Sequence, residues 1–178
     1  MDHRNQAYKR DYPIPKDIDP PGALMDYKAK IAVFGGRTVG KDLYADAVEI
    51  GRLMAEENWL VFCGGGTGVM EAVARGVKEG GGICIGLLKG TNLKEGNPYL
   101  TLPIKTGLGV ARNALLAYNC DAAVAIDGQY GTLSEIAYAM QLNKPVIGYK
   151  SWSIPKLESE KTPSLVIKRL KNIISSNK

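Results

Sequence analysis

Two kinds of apolar pattern alternate along this chain. Short, nearly unbroken apolar runs occupy 31–34, 59–63, 83–88, 122–126 and 146–149. Each has the length and composition of a strand buried on both faces. Between them, apolar residues recur at helical spacing. Leu43, Ala47, Ile50 and Met54 predict an amphipathic helix over 42–57, and Val69, Val73 and Val77 share one face of the next. Helices are also predicted over 110–118 and 133–142, and Val166, Leu170, Ile173 and Ile174 mark a last one. A short strand is predicted near 100–104. The stretch 89–99, with Gly90, Asn92, Gly96, Asn97 and Pro98, reads as an irregular loop. Strand and helix in repeated alternation predict a Rossmann-like α/β fold: an open parallel sheet with helices on both faces, in a single domain. Residues 29–178 would form that domain, including its C-terminal helix. Residues 1–28, polar and carrying Pro13, Pro15, Pro20 and Pro21, would be a tail, disordered or laid extended over a neighbouring surface.

Ligands of such sheets bind beyond the carboxyl ends of the strands. Two glycine-rich junctions fall there. One is Cys63-Gly64-Gly65-Gly66-Thr67-Gly68. The other is Asp127-Gly128-Gln129-Tyr130-Gly131-Thr132-Leu133-Ser134-Glu135. Free amides at a helix start favour an anion, typically phosphate. Four glycines in five residues exceed what a plain strand-to-helix turn needs, and favour close backbone approach to a ligand. The spacing is not the dinucleotide fingerprint, because Val69 and Glu71 occupy the places where a third glycine would stand.

A third glycine turn, Gly35-Gly36-Arg37-Thr38-Val39-Gly40-Lys41, nearly spells a P-loop, but Asp42 stands where the Mg²⁺-binding hydroxyl belongs. It reads either as a tight turn or as a segment that keeps Gly36 and Arg37 near the ligand. Glu135 also has two readings. Thr132 and Glu135 fit a capping box, or the glutamate is a carboxylate beside an anion-binding helix start. Arg112, early in its helix, is either a surface partner of a carboxylate such as Asp121 or a ligand-facing cation. A cation at a helix start opposes the helix dipole, which favours the second reading.

Composition narrows the chemistry. Apolar content of 45% and charge of 23% are ordinary for a globular protein, and no apolar run is long enough to span a bilayer. The start carries no apolar secretory core, which makes the cytoplasm the expected location. The only histidine is His3, which argues against Ser-His-Asp and multi-histidine metal chemistry. Cys63, Cys84 and Cys120 are scattered and read as buried free thiols. The net charge of +5 arises entirely in residues 150–178, which hold seven basic and two acidic groups. That is a solvated basic face, and no aromatic-interleaved basic stripe points to nucleic acid.

Taken together, these residues resemble the "lonely guy" (LOG) family, often labelled lysine decarboxylase-like, over about residues 30–150. The family's G-G-G-x-x-G-x-M segment is similar, with a shift, to Gly64-Gly65-Gly66-Thr67-Gly68-Val69-Met70. Its Arg-Lys pair resembles Arg112-Asn113, and its P-G-G-x-G-T-x-x-E segment resembles the stretch from Asp127 to Glu135. The resemblance implies a phosphoribohydrolase, which splits a nucleoside 5′-monophosphate into base and ribose 5-phosphate. It implies catalytic roles for Arg112 and Glu135. Glu135 would stabilise an oxocarbenium-like ribose or orient water, while Arg112 would position oxygens and hold Glu135 ionised. Gly36, Arg37, Gly64, Gly65, Gly66, Thr67, Gly68, Asn113, Gly128, Gln129, Tyr130, Gly131 and Thr132 would surround the phosphorylated ligand. No metal or redox cofactor is required.

Three departures, Asp127 for proline, Gln129 for glycine and Asn113 for lysine, resemble a sister branch that includes molybdenum-cofactor carrier proteins. The bound species is then an AMP-like nucleotide, phosphate or molybdenum cofactor, and the protein an enzyme, a carrier or a nucleotide sensor. The family implies a homodimer or a multiple of it, with the tail and the segment around Trp152 as expected contacts. Lysine decarboxylation lacks support, since no constellation for a pyridoxal-bound lysine is evident.

Overall fold

A computed structural model describes residues 27–176. Expectations for the tail, including His3, therefore fall almost wholly outside the described residues. Among the described residues there are seven strands: β1 (Ala29–Gly35), β2 (Trp59–Cys63), β3 (Ile83–Leu88), β4 (Leu102–Lys105), β5 (Ala122–Ile126), β6 (Val146–Tyr149) and β7 (Glu158–Glu160). They form one sheet in the order β4-β3-β2-β1-β5-β6-β7, and every neighbouring pair is parallel. Five α-helices accompany them: α1 (Lys41–Glu56), α2 (Val69–Glu79), α3 (Asn113–Tyr118), α4 (Tyr130–Gln141) and α5 (Pro163–Ser176). The expected Rossmann-like fold is present.

Successive side chains of a strand point to opposite faces, so the unbroken apolar run of β1 feeds two cores. Ile31 and Val33 pack with Ile50 and Met54 of α1, Val73 and Val77 of α2 and Leu170 of α5. Ala32 and Phe34 pack on the other face with Leu116 of α3 and Ile136 and Ala139 of α4. Helices α1 and α2 approach closely at two glycines. A Cβ on Gly51 would collide with the carbonyl of Val73, and one on Gly76 with the carbonyl of Val48.

The strand β7 carries no apolar signal and was not expected from the sequence. It is a charged strand on the sheet edge, where exposed polar side chains discourage further pairing. The segment predicted as one helix over 110–118 divides into a 3₁₀ turn, Gly109–Arg112, and α3. Helix α4 starts at Tyr130, three residues before the predicted position.

The chain runs from β1 outward to β4, then returns to place β5 on the opposite side of β1. The topological switch point therefore lies between β1 and β5. Their last residues, Gly35 and Ile126, are register partners. Loops diverge there, above and below the sheet, and open a crevice.

Candidate functional site

A cavity of about 310 Å³ occupies this crevice. Gly35, Gly36, Arg37 and Thr38 line it from the end of β1, and Asp127, Gly128, Gln129, Gly131, Thr132 and Glu135 from the β5–α4 junction. Arg112 and Asn113 close one side, and Met70 and Lys89 complete it. Of the residues anticipated around a ligand, Gly36, Arg37, Arg112, Asn113, Gly128, Gln129, Gly131, Thr132 and Glu135 thus share one cavity.

The start of α4 opens directly onto it. The first backbone bond of the helix runs from the Leu133 amide to the Gln129 carbonyl. The amides of Tyr130, Gly131 and Thr132 precede that bond and have no partner within the helix. Gln129 caps the helix through extended backbone without a side-chain bond. Thr132 is consequently inside the helix, so the capping-box reading of Thr132 and Glu135 does not hold. The turn before the helix is strained by design. Asp127 has φ 48° and Gly128 φ 105°, and a Cβ on Gly128 would run into the Thr132 side chain. Proline, fixed near −65°, could not adopt the Asp127 backbone, so this turn differs from the P-G-G form it resembles.

Arg112 and Glu135 face each other across the cavity. Arg112 Nη1 donates to Glu135 Oε1 at 3.5 Å, and the two residues are 2% and 7% exposed. Arg112 is therefore no surface partner of Asp121, whose carboxylate instead accepts the Lys30 amide. Arg112 Nε is buried without a partner among the described residues. A buried, incompletely satisfied guanidinium is costly unless something else completes it.

Burial dominates the titration of this pair. It pushes the Glu135 carboxyl up to about 8, with Arg112 and then Lys89 opposing. It also lowers the Arg112 guanidinium, with Glu135 acting the other way. Arg112 thus acts in the expected direction, toward an ionised Glu135, and burial acts against it. At 3.5 Å, with both groups desolvated, one long hydrogen bond only partly offsets the cost of two buried charges, and burial sets the direction of the Glu135 shift.

The segment Gly64-Gly65-Gly66-Thr67-Gly68 lies behind the cavity wall, and its close approaches are internal. A Cβ on Gly64 would come within 2.7 Å of Arg112 Nη1, so the guanidinium rests over a bare backbone. Gly68, at φ 68°, packs against the Arg37 peptide. The Val69 amide donates to the Gly36 carbonyl, and the Thr67 hydroxyl to the Arg37 carbonyl. The first glycine junction therefore buttresses the β1 loop and Arg112.

Asn97 is buried and clamps this junction from the far side, its Nδ2 donating to the carbonyls of Gly65 and Gly66. Tyr130 is 81% exposed, and its ring leans on Trp152 at 6.2 Å. Asn113 ties α3 to α4 through Nδ2, which donates to Ser134 Oγ at 2.9 Å.

Lys89, Met70 and Asn97 were not anticipated from the sequence. Lys89 is the first residue beyond β3, a position that the rule of strand carboxyl ends could have flagged. Asn97 was marked only as one of the residues of an irregular loop. Among the described residues no group of three His, Cys, Asp or Glu is placed to hold a metal ion, and no helix is long and apolar enough to cross a membrane.

Comparison with known proteins agrees with this architecture. The chain is 39% identical over 112 residues to the "Probable cytokinin riboside 5'-monophosphate phosphoribohydrolase LOGL9" of Oryza sativa subsp. japonica; the match covers 60% of this chain and 49% of the relative. This chain thus spans about half the length of that curated relative. The molybdenum cofactor binding protein of Rippkaea orientalis superposes with a TM-score of 0.77 at 30% identity, covering 82% of this chain and 96% of the other. The molybdenum cofactor carrier protein of Chlamydomonas reinhardtii gives 0.75 at 28% identity, covering 82% and 98%. The SLOG cluster4 family pattern matches residues 28–174, and the chain belongs to that LOG-like family.

Proposed function

We propose that this protein binds a nucleoside 5′-monophosphate, or a similar phosphorylated heterocycle, and hydrolyses its N-glycosidic bond. The observation that carries the reading is the buried Arg112–Glu135 pair set beside the open start of α4. The α4 amides and the Arg112 guanidinium suit a phosphoryl group, through the helix dipole and charge-assisted hydrogen bonds.

In the reaction, the C1′–N bond breaks and its electron pair goes to the heterocycle. Protonated Glu135 gives its proton to that nitrogen, becomes a carboxylate facing the oxocarbenium-like ribose, and takes a proton from the attacking water. The hydroxide adds at C1′. Base and ribose 5-phosphate result, and Glu135 is protonated again. A carboxyl titrating near 8 suits a proton donor at neutral pH.

A second reading, a non-catalytic carrier of molybdenum cofactor, is supported by structural likeness over almost the whole length of two proteins described as binding or carrying it. Asn113 and Gln129 also depart from the hydrolase motif that the chain resembles. Incubation with AMP and related monophosphates, followed by assay of free base, separates the two. Base release abolished in Glu135→Gln supports the hydrolase. Tight molybdopterin binding with no turnover of any monophosphate supports the carrier.

The protein is proposed to work in the cytoplasm as a homodimer or a multiple of it. Helices α3 and α4 are tied together and leave Tyr118 and Tyr138 exposed, with Val110 exposed in the adjoining 3₁₀ turn. These exposed side chains, with the half-buried Trp152 segment, support the subunit contact.

A further inference from the structure

The turn that aims the α4 start at the cavity has positive φ at two successive residues, 48° at Asp127 and 105° at Gly128. The side chain of Asp127 makes that conformation costly, and it persists only where the surroundings hold it. The holding groups come from the end of β6. Ile126 and Tyr149 are register partners, so the two chains leave the sheet side by side. The Asp127 amide donates to the Tyr149 carbonyl at 3.1 Å, and the Ser151 hydroxyl donates to the Asp127 carbonyl at 2.9 Å. Both polar backbone groups of Asp127 are thereby tied to one neighbouring segment.

That segment is itself anchored. Lys150 also has positive φ, 50°, and the sharp turn it makes lets Ser151 reach Asp127. The Tyr149 hydroxyl donates to Asp46 Oδ2 at 2.8 Å and the Lys150 ammonium to the same oxygen at 2.7 Å, which fastens the segment to α1. On the other side of Ser151, the Trp152 ring meets that of Tyr130, the first residue of α4. The Tyr149 tie to Asp127 is made by a backbone carbonyl, which any residue supplies. The Ser151 tie needs a hydroxyl.

We propose that Ser151 is a positioning residue for the anion site: its hydroxyl locks the Asp127 carbonyl, and with it the direction in which the free amides of Tyr130, Gly131 and Thr132 point. Ser151 is not among the residues that line the cavity, so it acts through the turn and not by touching the ligand. The inference rests on the phosphate-binding reading above and adds a residue to that site. Without the hydroxyl the Asp127 carbonyl loses its partner, and the turn gains room to relax toward negative φ. The first amides of α4 then swing off the phosphoryl group, where a small misalignment is enough to weaken the grip.

Titration calorimetry with AMP compares the unaltered protein with Ser151→Ala and Ser151→Thr. Ser151 lies on a half-buried connector, and loss of one such bond leaves the protein folded, which thermal melts verify. AMP affinity should fall by about fivefold in Ser151→Ala, the scale of one hydrogen bond, and should be restored in Ser151→Thr, which keeps the hydroxyl. A merely structural serine would lower the melting temperature of Ser151→Ala and leave the affinity of the folded protein unchanged. Equal AMP affinity in Ser151→Ala, or a loss that Ser151→Thr does not restore, would overturn the positioning role while leaving the phosphate site standing. Absence of AMP binding to the unaltered protein would remove the site and the role together.

Discussion

Arg112 and Glu135, 23 positions apart in the chain, meet at 3.5 Å with both side chains almost wholly excluded from solvent, and the arginine Nε still lacks a partner. The glycine junction after β2, the 3₁₀ turn before α3 and helix α4 converge to hold this contact. Arg112 enters from the 3₁₀ turn before α3 and rests over Gly64, and Glu135 enters from the second turn of α4. The guanidinium keeps hydrogen-bonding capacity that Glu135 does not take up.

The proton on Glu135 has a measurable cost. Its carboxyl titrates near 8 in the folded chain, against an ordinary value of 4.5. Between those values the folded state holds a proton that the unfolded state has released, so stability is full below about pH 4.5 and is lost as pH rises toward 8. The slope from this one group is at most about 1.4 kcal/mol per pH unit. Melting curves of the unaltered protein and of Glu135→Gln should therefore diverge, with the variant gaining relative stability from pH 5 to pH 8.5. A constant difference between them across that range would show that burial does not hold the proton.

Gly64 makes a second test, because it binds nothing itself in this account. A Cβ there meets the Arg112 guanidinium and the Met70 sulfur, each at 2.7 Å. Gly64→Ala should displace Arg112, cost about 1–3 kcal/mol of stability by overpacking, and weaken binding of AMP at least tenfold. Denaturant unfolding and titration calorimetry measure the two effects. Unchanged AMP affinity would mean that Arg112 has freedom this packing denies it.

The exposed apolar surface of α3 and α4 gives a third. Val110 is 72% and Tyr118 65% exposed. Light scattering should report a dimer for the unaltered protein and a monomer for Val110→Glu combined with Tyr118→Glu. A dimer that survives both charges would place the contact elsewhere.

Much of the fold was legible in the chain because the strands are buried on both faces. The runs at β2, β3, β5 and β6 were read to the residue, since a doubly covered strand cannot tolerate an interspersed charge. β7 escaped because an edge strand is held by backbone pairing and shows polar side chains. The start of α4 was misplaced because Gly131 and Thr132 look like turn residues. They are helical, and the turn chemistry lies at Asp127 and Gly128, whose positive φ angles no residue pattern states outright.

The site was legible where motifs repeat a known arrangement, as at Arg112 and Glu135. It was not legible where packing decides. The glycines at 64–68 signal close approach, but only the folded chain reveals that Arg37 and Arg112 are what they approach. Lys89 carried no motif at all, and the charge state of Glu135 depends on burial that no spacing encodes.

The account's central claim is that the α4 start and Arg112 together grip a phosphoryl group. Titration of AMP into the unaltered protein and into folded Arg112→Met tests it most directly. Micromolar binding that weakens by a factor of ten or more in the variant is the predicted result. Absence of AMP binding to the unaltered protein, or equal affinity in the two, would contradict it.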